Sequence, residues 1–299
     1  MIDRLKMYGD RVLSPETLTP VQNVGGLLIK RDDLYMPFGE GEVNGGKLRQ
    51  CLMLVDSIKN QYNGVISCCS IHSPQAPITA ATARYFHMPC FIYYGGTSKE
   101  TLLQLPMPQL CLKYGANIKI AAKSGRHNIL YAKARKIAQE LHYFTVEYGI
   151  NLNGHSDVLF GAVSRQVENI PNELDNLVIT CGSGITSTGV LLGLAKYGKK
   201  VKNVHLVATA PDRRRFITDN VSHFGIKAKF EYHDLFHRKG FVYEKGLKAV
   251  FGGIQFHPNY EAKTLSWLIN ESGIDYQNEK TLLWVVGSEP KGRTSRNGI

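Results

Sequence analysis

The sequence predicts an α/β protein of parallel sheets covered by helices, and three observations lead there. Short apolar runs alternate with longer amphipathic stretches along most of the chain, the rhythm of strands followed by crossover helices. Several apolar runs end in glycine-rich turns, where open α/β sheets place their ligands. No internal repeat, low-complexity segment or membrane-length apolar run interrupts the pattern.

The elements follow in order. Gly64–Cys69 is a buried strand, followed by a helix from Gln75 to Phe86. Cys90–Tyr94 is the next strand, ending at Gly95-Gly96; Thr97 or Ser98 caps the helix after it, which Pro106 and Pro108 should break. Asn117–Ala122 and Phe144–Glu147 are short strands flanking a basic helix from His127 to Leu141. Leu177–Thr180, a glycine-rich turn and a helix through Leu194 resume the rhythm, and His205–Ala210 and Leu282–Val286 supply later strands.

Composition narrows the class. The 299 residues suffice for one large or two modest domains, and 43% hydrophobic with 20% charged residues is ordinary for a soluble protein. The start, Met1-Ile2-Asp3-Arg4-Leu5-Lys6, lacks a secretory apolar core, so a cytoplasmic protein without a membrane partner is expected. The six cysteines form neither a CxxC pair nor a Cys/His zinc ladder; free buried thiols and no metal are the expectation. The net charge of +11 favours anionic partners and clusters at Lys196–Lys202, Arg213–Arg215 and Lys291–Arg296. A solvated basic face is the plainer reading and a nucleic-acid partner the sharper one.

Two constellations carry chemistry. Cys181-Gly182-Ser183-Gly184-Ile185-Thr186-Ser187 follows a strand and opens a helix, so successive N–H groups and the helix dipole can converge on a phosphate. It is neither a Walker A loop nor a full GxGxxG, and no acidic residue ends a following strand where a dinucleotide site needs one. The second is Lys30-Arg31-Asp32-Asp33-Leu34 with Asn44-Gly45-Gly46-Lys47-Leu48-Arg49 downstream. Lys47 opens a helix with apolar Leu48, Cys51, Leu52 and Val55, and the positive helix end favours the neutral amine that Schiff-base chemistry requires.

In combination these residues resemble the 1-aminocyclopropane-1-carboxylate deaminase and D-cysteine desulfhydrase family, within the fold-type II (tryptophan synthase β-like) enzymes dependent on pyridoxal 5′-phosphate (PLP). That family opens with an "IKRDDL" strand and a "GGNKxRK" lysine motif. Ser70–Gln75, leading into Ala80–Arg84, resembles its serine loop and Ala-rich helix. His257-Pro258-Asn259-Tyr260-Glu261-Ala262-Lys263 resembles "DPVYEGK", and Leu283–Gly287 its final strand. The resemblance implies that Lys47 holds PLP as a Schiff base and that Ser183, Gly184, Ile185 and Thr186 bind its phosphate. It makes Glu261 the partner of the pyridine nitrogen, with Tyr260 facing the substrate and Ser73 near its carboxylate. It also implies two domains, residues 1–50 plus 150–299 holding the cofactor and 51–149 forming a small α/β domain, and a homodimer.

Two departures stand out. Gly46, not asparagine, precedes the lysine, and Pro74 replaces the asparagine after the loop serine, leaving His72 or Gln75 as substitutes. The first expectation is a PLP-dependent lyase or deaminase acting on a small amino acid. The second is a PLP enzyme whose amino acid is attached to a nucleotide or nucleic acid, prompted by the charge and the altered loop. The third is a non-catalytic relative binding a phosphate ligand.

Overall fold

A computed structural model describes residues 14–122, 127–150, 156–227, 229–243 and 245–290. The amino-terminal hexapeptide and the basic tail Lys291–Arg296 lie outside the described residues. An antiparallel pair, β1 (Val21–Val24) and β2 (Leu27–Arg31), runs into a 3-10 turn at Asp32–Leu34. The helix α1 (Gly46–Ile58) then leads to β3 (Gly64–Cys68), α2 (Gln75–Tyr85) and β4 (Cys90–Gly95). Two short helices, α3 (Lys99–Leu103) and α4 (Pro106–Lys113), precede β5 (Asn117–Ala122), α5 (His127–Leu141) and β6 (Tyr143–Val146). The remainder holds α6 (Ser156–Ser164), β7 (Glu173–Cys181), α7 (Ile185–Lys196), β8 (Lys200–Ala208), α8 (Arg214–His223) and β9 (Glu231–Asp234). A small hairpin, β10 (Val250–Phe251) and β11 (Ile254–Gln255), is followed by α9 (Glu261–Asn270) and β12 (Thr281–Val285).

The chain divides into two compact units. The first takes in residues up to Pro37, the short piece Asn44–Gly46 and Asp157–Glu289; the second takes in Phe38–Val43 and Lys47–Ser156. The first unit carries a six-stranded sheet in the order β1-β2-β12-β7-β8-β9, parallel except for β1. Its core sets Leu27, Ile29, Val178, Val207, Leu283 and Val285 against Leu265, Trp267 and Leu268 of α9. The second unit carries a four-stranded parallel sheet, β5-β4-β3-β6. There Ile66 and Cys68 pack on Leu130, Tyr131, Ala134 and Ala138 of α5, whose apolar residues fall at helical spacing. Strands covered on both faces are largely apolar, as in β3 and β12, where every residue is buried and only Ser67 and Thr281 are polar.

One expectation is corrected. Ser98 caps α3, accepting the Thr101 N–H at 3.2 Å, and that helix ends at Leu103, ahead of both prolines. Pro106 instead begins α4, with Pro108 in its first turn, where the missing N–H groups have no intrahelical partner to lose. Here the prolines start a helix.

The Lys30–Asp33 segment is scaffold. Lys30 is fully buried and donates from Nζ to the Thr19 carbonyl at 2.7 Å and to Asn169 Oδ1 at 2.6 Å. Arg31 grips Asp33 with two parallel bonds, Nε to Oδ1 at 2.8 Å and Nη2 to Oδ2 at 2.7 Å.

Candidate active site

Lys47 is half-buried in the first turn of α1, at the point where the chain passes from the first unit to the second. Leu48, Cys51, Leu52 and Val55 are all buried, so the expected apolar stripe holds the helix down. Within the second unit burial pushes the Cys69 thiol up to about 12, with the Ser67 hydroxyl and, after it, the charge of Lys47 acting in the opposite direction. The two glycines before the lysine are required by space. Gly45 has φ +89°, and a Cβ there would run into the Val286 carbonyl. A Cβ on Gly46 would lie 2.6 Å from Asp32 Oδ2, which explains why an asparagine is not accommodated immediately before this lysine.

The asparagine two places earlier does other work. Asn44 Oδ1 accepts the Ser288 N–H at 2.9 Å, while the Gly46 N–H donates to the Val286 carbonyl at 2.8 Å. The N–H of the same residue, Val286, donates to Glu261 Oε1 at 3.2 Å. One residue after β12 thus ties the residue preceding Lys47 to Glu261. Glu261 is only 4% exposed and is the first residue of α9, where the positive helix end favours a carboxylate.

The segment His257–Lys263 is organised around a loop that the sequence did not single out. Tyr260 and Tyr243 share a short hydroxyl–hydroxyl hydrogen bond, and the His257 ring packs 4.8 Å from that of Tyr260. Asn259 Nδ2 donates to the Tyr243 carbonyl at 2.9 Å, and Lys263 Nζ donates to the same carbonyl at 3.1 Å and to that of Val242 at 3.0 Å. Tyr243 belongs to no recognisable pattern, and only the fold brings it to Tyr260.

At the glycine-rich turn, Gly184 has φ +87° and precedes the 12-residue α7 without offering a capping side chain. A Cβ there would press to 3.0 Å on Phe216 and 3.3 Å on Arg213. Ser183 and Thr186 are half-buried at the turn and Ile185 is buried in the first helical position. Arg213 to Arg215 therefore begin α8 beside the turn, with no acidic residue in that helix's first turn. Cations at a helix N-terminus oppose its dipole, and Asp212 offsets this only partly by pairing with Arg214 at 2.6 Å. Arg215 is 95% exposed.

In the second unit, Ser73 is 8% exposed and its hydroxyl accepts the Gln75 N–H at 3.3 Å. Pro74 occupies the N-cap of α2. Gln75 is committed elsewhere: Nε2 donates to Ser67 Oγ at 3.1 Å and to the Glu147 carbonyl at 2.8 Å, and Oε1 accepts the Gly149 N–H at 2.8 Å. With both amide N–H groups engaged in holding α2 to the sheet, Gln75 has no donor left for a ligand.

The family described as pyridoxal-phosphate dependent enzyme matches residues 13–227. The chain belongs to this family. Among its relatives is the "O-seryl-dTMP PLP-dependent decarboxylase" of Salmonella phage ViI, 26% identical over 93% of this chain and 80% of the relative. In fold the enzyme is similar to a solved ACC deaminase homologue, with a TM-score of 0.75 at 21% identity, covering 96% of this chain and 94% of that one. It is also similar to serine racemase from Dictyostelium discoideum, with a TM-score of 0.59 at 14% identity over 91% and 92% of the two chains. The fold is that of the fold-type II PLP enzymes, and PLP is its cofactor.

The donor set suits PLP. An uncapped helix N-terminus behind a left-handed glycine suits a phosphate, with Ser183 and Thr186 able to donate hydroxyls. A nearly buried carboxylate held by a backbone N–H suits a pyridinium, and a half-buried lysine suits the cofactor aldehyde. The six cysteines are free and buried.

Proposed function

We propose that this PLP-dependent enzyme acts on an α-amino acid joined to a nucleotide and removes its carboxyl group. The observation that carries the reading is the similarity to the O-seryl-dTMP decarboxylase over 93% of the chain. The three arginines that start α8 support it, because Arg213 adjoins Gly184 and Arg215, paired with Asp219 at 3.5 Å, remains exposed to an anionic ligand. Pro74 supports it too: a serine loop without the amide of the small-amino-acid deaminases fits a different substrate better.

In this reading Lys47 would hold the cofactor through Nζ. Ser183 and Thr186 donate hydroxyls, and the backbone of Gly184 and Ile185 donates N–H groups, to the cofactor phosphate. Glu261 keeps a proton on the pyridine nitrogen, and so the bound cofactor withdraws electrons strongly from the substrate α-carbon. Lys47 Nζ would deliver to the substrate α-carbon the proton that replaces the departing carbon dioxide. Tyr260, its hydroxyl fixed by Tyr243, and Ser73 orient the substrate.

Holoenzyme given O-seryl-dTMP should release carbon dioxide and yield a product lighter by that mass. Free serine, D-cysteine and 1-aminocyclopropane-1-carboxylate should have kcat/KM lower by about a hundredfold or more. Efficient turnover of the free amino acids with an inert nucleotide conjugate would overturn the reading and restore a small-amino-acid lyase or deaminase. Inertness toward both, with cofactor bound, would instead favour a non-catalytic phosphate-ligand binder.

A further inference from the structure

The first unit holds a second cluster of ligating groups, on the two strands at one edge of its sheet. β8 and β9 pair in parallel with His205 opposite Glu231 and Val207 opposite His233, so the two histidines and the carboxylate converge. His205 Nδ1 lies 3.1 Å from His233 Nε2, and Glu231 Oε2 lies 3.5 Å from the former and 3.6 Å from the latter. We infer that His205, His233 and Glu231 form a site for a single divalent transition-metal ion of the zinc class, with a water completing its shell.

Three features carry the inference. The first is spacing: three atoms so separated share a point about 2.0 Å from each, which is the zinc–imidazole and zinc–carboxylate bond length. A mere hydrogen-bonded histidine pair leaves the carboxylate unexplained, because it stands almost equally far from both rings, too far for a strong hydrogen bond to either. The second is orientation. Asn176 donates from Nδ2 to Glu279 at 2.6 Å and to Thr281 at 3.3 Å, turning its Oδ1 toward His205 Nε2 at 3.3 Å. The acceptor fixes the proton on Nε2 and directs the Nδ1 lone pair at the cluster, the outer-shell arrangement that metal-binding histidines use. The third is environment. Trp267 packs 4.3 Å from the His233 ring, and Glu231, 58% exposed, leaves an entry path. Such an ion would pin the short edge strand β9 to β8. It is independent of the proposed substrate, because none of these residues belongs to the cofactor set.

Zinc titration of chelator-treated holoenzyme tests the site, read by calorimetry and by thermal melting. One ion per chain should bind and raise Tm, with affinity lowered at least about tenfold in His233→Gln and in Glu231→Gln. Glu231 is exposed enough that its variant should fold, so poor folding of the histidine variant cannot mask the result. Cobalt should quench the Trp267 fluorescence in the wild type and not in His233→Gln. No zinc bound at micromolar concentration, or the same affinity in wild type and both variants, would overturn the inference.

Discussion

Two segments carry most of the resemblance to PLP enzymes, and they do opposite things. Lys30–Asp33 consists of four consecutive charged residues and is consumed by structure, its lysine sunk beside Thr19 and Asn169 and its arginine locked to Asp33. His257–Lys263 uses its asparagine and lysine to hold the Tyr243 loop, while Tyr260 and Glu261, bonded to Tyr243 and to the Val286 N–H, are the groups proposed for chemistry. A recognisable motif is therefore a statement about constraint, and only the partners of each side chain tell a scaffold constraint from a catalytic one.

Substitutions can break this comparison. The largest effect is expected at Lys47: Lys47→Ala should abolish the violet absorption band of bound PLP and lower kcat by roughly a thousandfold or more, and a retained band would remove Lys47 from its role. Glu261→Gln keeps an acceptor for the Val286 N–H but loses the charge. It should cut kcat about a hundredfold while leaving the melting temperature nearly unchanged, and an equal loss of stability would make Glu261 mere scaffold. Arg31→Ala should behave conversely. It strands the nearly buried Asp33 carboxylate at a cost of about 3 kcal/mol, seen in denaturant melts, with kcat per folded molecule preserved. Tyr243→Phe, which leaves Tyr260 without its hydroxyl partner, should lower kcat by about three- to tenfold with little change in KM.

The smallest effect concerns the thiols. Burial pushes Cys51 and Cys181 up to about 11 and Cys69 to about 12. The unfolded chain releases these protons above roughly pH 9 and the folded chain retains them, so the folded state binds more protons there. Their contribution to stability is complete below that pH and declines as pH rises through the folded values. Melting temperature should fall between about pH 9 and 11, and thiol reagents at about pH 8 should leave the native protein unlabelled. Rapid labelling of folded protein would contradict the burial.

Local pattern made much of the fold legible. The alternation of strands and helices, the basic helix from His127 to Leu141 and the Ser98 cap all rest on neighbours in sequence. The prolines misled because their effect depends on where a helix begins, which the packing of α4 decides. Of the proposed site, the lysine and the glycine turn follow from their own chemistry, whereas Tyr260 and Glu261 rest on the resemblance of His257–Lys263 to the family motif. The contacts of Tyr243 and Val286 were not visible, because they exist only through distant residues, and Arg213 stood out as a charge but not as a neighbour of the glycine turn. Gln75 had the right chemistry to replace the missing asparagine, and three buried hydrogen bonds take it out of use.

The residue after β12 also bears on how the protein is made. The carbonyl and N–H of Val286 serve Gly46 and Glu261, and β12 itself inserts between β2 and β7. A ribosome translates this strand about 250 residues after β2, so β2 waits, with one edge unpaired, while the intervening chain emerges. The nascent chain therefore cannot complete the lysine's seat early, and cofactor capture is postponed until β12 and Val286 have emerged.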